Sequence, residues 1–178
     1  YSDTDYTDRD LQFGRIAGTL QTIFPQPVVN TAVAVAVLHA QTEDLDQHMG
    51  RAWLAQGADA ADDSALYTAA WRAVGERHAR QQQLQRVLAM GTDLARLTRT
   101  PGLRMMLRMM RGPANAAGMG ALQKFLEAGF DTFGQLARQR GGVEQFLATI
   151  EQREQAQMDL LFDADPVTCG TQLNHTLG

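Results

Sequence analysis

Little in this sequence could cross-link it or give it reactive chemistry. A single cysteine, Cys169, among 178 residues excludes an internal disulfide framework and suits a reducing compartment, so a cytoplasmic location is the expectation. It falls in a polar stretch with no ordered setting to activate a thiol. There is no Gly-x-Ser-x-Gly element, no Cys-rich or His-x-His element and no Glu-x-x-His pair of the di-iron bundle type. The Gly118-Met119-Gly120 triplet follows a connector rather than a strand, which speaks against a phosphate loop. The chain therefore reads as a non-enzyme with no cofactor. Its longest apolar run, Ala32 to Leu38, falls far short of the roughly 18 residues of a membrane span, and nothing at its start resembles a signal peptide.

Lysine is almost absent too, Lys124 being the only one, so arginine carries the positive charge. Nine arginines between Arg72 and Arg111 face only Glu76 and Asp93, making that segment +7 and the remainder −11 within a net charge of −4. Such a patch suggests nucleic acid. Yet no aromatic residues interleave with these arginines after Trp71, and the short turn into a polar recognition helix is missing, so the sequence speaks against that partner.

What is present is helical periodicity, and the expectation is an all-α, single-domain bundle of about six helices over residues 1–162, followed by an irregular tail, 163–178. A first helix follows Thr7 or Asp8, with Phe13, Ile16, Leu20, Ile23 and Phe24 on its apolar side. A second runs from Pro27 to about Gln56; Val33, Val35 and Val37 alternate like a strand, but the run continues into Leu38, Leu45, Met49 and Trp53 and reads as a buried helix. A third spans Ser64 to about Thr98, with a bend near Ala79 to Gln83 because its apolar direction swings by about 140° along its length, beyond ordinary drift. A short helix opens behind Thr100 and Pro101 and stops at Gly112 and Pro113.

The clearest amphipathic helix follows, with Met119, Leu122, Phe125, Leu126, Phe130, Phe133 and Leu136 on one side and Lys124, Glu127, Asp131 and Gln135 on the other. Gly129 inside its apolar arc predicts a close helix crossing. Gly141 and Gly142 separate it from a last helix, Val143 to Phe162.

Two groups of residues invite a functional reading. Glu154 and His78 fall on apolar arcs, and His39 shares a flank with Glu43 and Asp46. Burying such groups is costly unless they are paired, so the plainer reading is a hydrogen-bonded cluster that fixes helix register. The sharper one is a ligand or metal site formed by His39, Glu43, His78 and Glu154, or an acid/base pair drawn from them. The other group is the short helix: Arg104, Arg108 and Arg111 make one ridge while Leu103, Met105, Met106, Leu107, Met109 and Met110 cover the rest, more apolar arc than one contact needs. Either it is wedged between layers, or Arg104, Met105, Arg108, Met109 and Arg111 dock a protein partner or a second copy of the chain. Docking is the functional expectation, with the His/Glu site as its alternative.

The segments LHAQTEDLD (Leu38 to Asp46), LRMMRGPANAAGMGALQKFLEAGF (Leu107 to Phe130) and FLATIEQRE (Phe146 to Glu154) resemble segments of the bacterial FFLEE-motif proteins, whose naming motif would then lie ahead of Tyr1. The resemblance implies an all-helical bacterial protein and supplies no catalytic residues.

Overall fold

The computed structural model describes residues 26–56, 63–116 and 120–177, and every element among them is a helix. In chain order these are α1 (Gln26–Ala55), α2 (Asp63–Val74), α3 (Arg77–Thr98), α4 (Leu103–Met109), α5 (Arg111–Ala116), α6 (Gly120–Arg138), α7 (Gly142–Asp163) and α8 (Pro166–Leu177). The expected helix before Pro25, residues 57–62, and Gly118 and Met119 lie outside the described residues.

Helix α1 matches its sequence reading closely in extent, but not in burial. Val33, Val35 and Val37 are about half exposed, so the alternating valines sit on a helix without being core. The long third helix is two helices. Gly75 (φ 68°) and Glu76 (φ 57°) both adopt the left-handed conformation, which stops α2 and starts α3 on a new axis. The swing in apolar direction is the trace of this break, which falls a few residues ahead of the expected bend. Resetting the helical phase also carries His78 off the arc of Tyr67, Trp71 and Val74, and it is exposed.

Helix α3 is the central element, in contact with α1, α2's partner α7, and α6. Its first half meets α1 through polar contacts: the Gln41 amide donates to the Ala79 carbonyl (2.7 Å) and Gln83 donates to the Thr42 hydroxyl (2.7 Å). One apolar cluster, Trp71, Leu84, Met158, Leu161, Cys169 and Leu173, joins α2, α3, α7 and α8. A second, Ala95, Ala137 and Val143, joins α3, α6 and α7, with Phe133, Leu136 and Leu147 packed against it.

Close helix approach occurs at a different glycine from the one expected. Gly129 has open space around it, whereas a Cβ at Gly91 would lie 2.5 Å from Leu147 Cδ2. At the α3/α7 crossing the end of the Leu147 side chain therefore packs directly over Gly91, a position with little side-chain periodicity to advertise it. At the α6–α7 junction the sequence reading holds. A Cβ at Gly142 would lie 2.6 Å from the Leu136 carbonyl, so this turn accepts nothing larger.

Two further differences concern chain ends and stops. Pro113 falls within the first turn of α5, where its missing N–H leaves no helical bond unmade, so the chain continues as a second short helix instead of stopping. Residues after Asp163 form α8 where an irregular tail was expected. The Asp165 carboxylate accepts the Val167 (3.1 Å) and Thr168 (3.0 Å) backbone N–H groups and caps the helix, with Pro166 at its first position. Cys169 and Leu173, one turn apart, are buried, and the Cys169 sulfur lies 3.2 Å from the Thr68 hydroxyl.

Candidate functional site

A run of arginines on neighbouring helices must find oxygen atoms or face water, and here most find oxygen atoms of the same chain. Arg104 and Asp131 form a two-pronged ion pair between α4 and α6, with Nε and Nη2 donating at 2.5 and 2.6 Å. Arg111 makes the same fork on Glu127. Between them Gln123 of α6 donates to the Leu107 carbonyl (2.6 Å) and to Glu127 (3.0 Å), so α4 and α5 are clamped on one flank to the polar side of α6. The Arg111 fork and then the Gln123 amide hold the Glu127 carboxyl down to about 2, and Arg104 lowers that of Asp131.

With that flank fixed and Leu103 buried, the opposite side of α4 is left outward. Met105 is 69% exposed and Met109 74%, one helical turn apart, with Met106 and Met110 half-buried beside them. Of the ridge residues proposed to dock a partner, Arg104 and Arg111 are thus engaged within the chain. Arg108 is exposed and its charge acts on Glu127 and Asp131 from a distance.

The other arginines of the +7 segment, Arg80 apart, are spent in similar ways. Arg72 donates to the carbonyls of Leu161 (2.7 Å) and Ala164 at the end of α7, and Arg99 donates to Ala137 (2.9 Å) near the end of α6, satisfying carbonyls that a helix terminus leaves unbonded. Arg77 pairs with Asp163 and Asp159 and lies over the Phe162 ring. Arg86 donates to Gln41 and Arg96 to Asp93. Carboxylates of α6 and α7 thus meet Arg104, Arg111 and Arg77, while Arg72, Arg86 and Arg99 donate to neutral oxygens and keep their charge.

The His/Glu set is not brought together. His39 and Glu43 approach to 3.9 Å on one exposed face of α1, each side chain more than half exposed. His78 and Glu154 are exposed on α3 and α7, and among the described residues no group of three or more His, Cys, Asp or Glu side chains could hold a metal ion. Glu154 missed burial because α7 turns that part of its arc to the mouth of a groove beside Arg80 instead of into the core.

Sequence reasoning missed that groove. Arg80 is only 8% exposed, its guanidinium carbon stands 3.5 Å from the centre of the Trp71 ring, and Tyr67, Trp53 and Phe162 extend the aromatic contacts around Trp71. Burial lowers the pKa of Arg80 and raises that of Tyr67. The Trp71 to Arg80 separation of nine residues across a helix break conceals the contact, although an arginine in phase with Leu84 and Val87 was a usable hint.

Among the described residues no helix is long and apolar enough to cross a membrane. No curated protein and no solved structure matches the chain. A family model does match, over residues 1–168, and the chain belongs to the family described as Domain of unknown function (DUF8198).

Proposed function

We propose that this chain is a non-enzymatic helical interaction module that associates with a second copy of itself through the Met105 and Met109 side of α4. The observation that carries the reading is the pair of exposures, 69% and 74%, on a helix whose other flank is held by two ionic forks. A pinned helix loses little freedom when it docks, and methionine fills irregular gaps well. Two α4 helices meeting about a two-fold axis would bury all four methionines, with Arg108 at the rim. The bacterial FFLEE-motif relationship and a cytoplasmic setting fit this reading and belong to the same proposal.

The test is the mass in solution across a concentration series, by light scattering coupled to size exclusion. Wild-type protein is expected to dimerise, and Met105→Glu with Met109→Glu to remain monomeric. A wild-type monomer throughout, or a dimer indifferent to both substitutions, overturns the proposal.

A further inference from the structure

Four arginines of this chain can be compared at the same edge of the guanidinium, the one formed by Nε and Nη2. In Arg72 that edge holds two backbone carbonyls, in Arg104 both oxygens of Asp131, and in Arg111 both oxygens of Glu127. In Arg80 both atoms are buried and neither has a hydrogen-bond acceptor among the described residues. Trp71 Nε1, on the ring against which Arg80 stacks, is also buried without an acceptor. The carboxylates of Asp46 and Glu76 act on Arg80 only through their field, and no carboxylate among the described residues lies within ion-pair distance of it.

Arg80 and Trp71 line a groove of about 290 Å³ between α3 and α7. Leu84, Val87, Ile150 and Met158 give it apolar walls, and Glu154 is the one acidic group in its lining among the described residues. Three donors without acceptors beside an apolar trough define a complementary molecule. Its head has at least two acceptor oxygens and a negative charge, and its body is short and apolar, since the space is at the lower end of the range for small-molecule sites.

We infer that this groove binds a small monocarboxylate with a short apolar chain, its carboxylate taken by the Nε/Nη2 edge of Arg80 with the Trp71 indole N–H, its tail lying along Leu84, Val87, Ile150 and Met158. Arg80 and Trp71 are the head-group residues. Glu154 sets the threshold for entry, because its like charge opposes the incoming head. This site is separate from the α4 surface and does not depend on self-association.

Hexanoate is a probe of suitable size and hexan-1-ol its uncharged counterpart. Each is titrated into the full chain while the indole N–H resonance of Trp71 is followed by NMR. Hexanoate is expected to shift that resonance saturably, and hexan-1-ol to leave it in place. Arg80→Met should weaken hexanoate binding by about tenfold or more, as expected for loss of a charge-assisted pair, and Glu154→Gln should tighten it. The Glu154→Gln arm keeps the test decisive if Arg80→Met does not fold, since Glu154 is exposed and removable without disturbing the core. No saturable shift with wild-type protein, equal responses to acid and alcohol, or unchanged affinity in Glu154→Gln overturns the inference.

Discussion

Arginine is used in opposite ways on the two sides of this molecule. At α4 and α5, Arg104 and Arg111 are half or more exposed and each has a complete pair of carboxylate oxygens. At the α3/α7 groove, Arg80 is buried and its equivalent edge has none. Energetically this is the reverse of what pairing needs. Exposed ion pairs are screened by water and contribute little, so the forks do more to orient α4 than to stabilise the fold. A buried cation loses several kcal/mol of hydration, and stacking on an indole returns only about 2 kcal/mol. The two forks beside α4 are thus electrostatically complete and its free side is rich in methionine, whereas the groove is apolar at its walls and electrostatically incomplete. Two surfaces so different should answer to different partners.

The comparison is broken most forcefully at Trp71. Trp71→Ala removes a central core side chain and strands Arg80, and a loss of about 3–5 kcal/mol is expected in denaturant unfolding. A loss below about 1 kcal/mol would show that the groove is peripheral to stability. Next in size is Gly91→Val, which forces a side chain against Leu147 where α3 crosses α7. Overpacking of this kind costs about 1–3 kcal/mol. Combining it with Leu147→Ala should cost less than the two single losses added together, because the two positions share one space. Strict additivity would mean that the helices do not meet there.

How far the sequence carried can be judged from these same residues. The helical class, the extent of α1 and the Gly141-Gly142 junction were legible because periodicity and turn glycines are local signals. Helix α8 was legible in principle, since Asp165-Pro166 is a start signal with Cys169 and Leu173 one turn apart behind it; the polar composition outweighed it. The break at Gly75-Glu76 was harder, because a left-handed glutamate leaves no compositional mark. It had the widest consequences, since everything inferred by extending the phase of α2 past Val74, His78 included, was rotated off its true direction. At the candidate sites, the exposed methionines followed from an excess of apolar arc on α4, a property of one helix. The Arg80–Trp71 stack joins two helices with different axes, and one-helix patterns carry no information about that.

The forks of α4 and α5 offer a pH test of the same contrast. Glu127 has a folded value of about 2 against an ordinary value of 4.5, so its pairing with Arg111 favours the folded state above the ordinary value. That contribution is lost progressively as pH falls from about 4.5 to about 2, when the carboxyl takes up a proton first in the unfolded chain and then in the folded one. Following the Glu127 carboxyl carbon by NMR should give a midpoint near 2, moving up toward 4.5 in Arg111→Gln. A wild-type midpoint already near 4.5 would mean that the fork is not formed in solution and that α4 is not held as described.

The smallest expected effect is the most useful for separating surface from core. Met105→Glu and Met109→Glu place charge where the side chains already meet water for most of their area. Each should change unfolding free energy by no more than about 0.5 kcal/mol, measured at a concentration where the protein is monomeric. Small stability effects of this kind are what allow loss of dimerisation in the double variant to be read as loss of a docking face. A destabilisation above about 1 kcal/mol in the monomer would instead place these methionines inside the fold, making α4 a wedge between layers and closing the contrast with the groove from the other side.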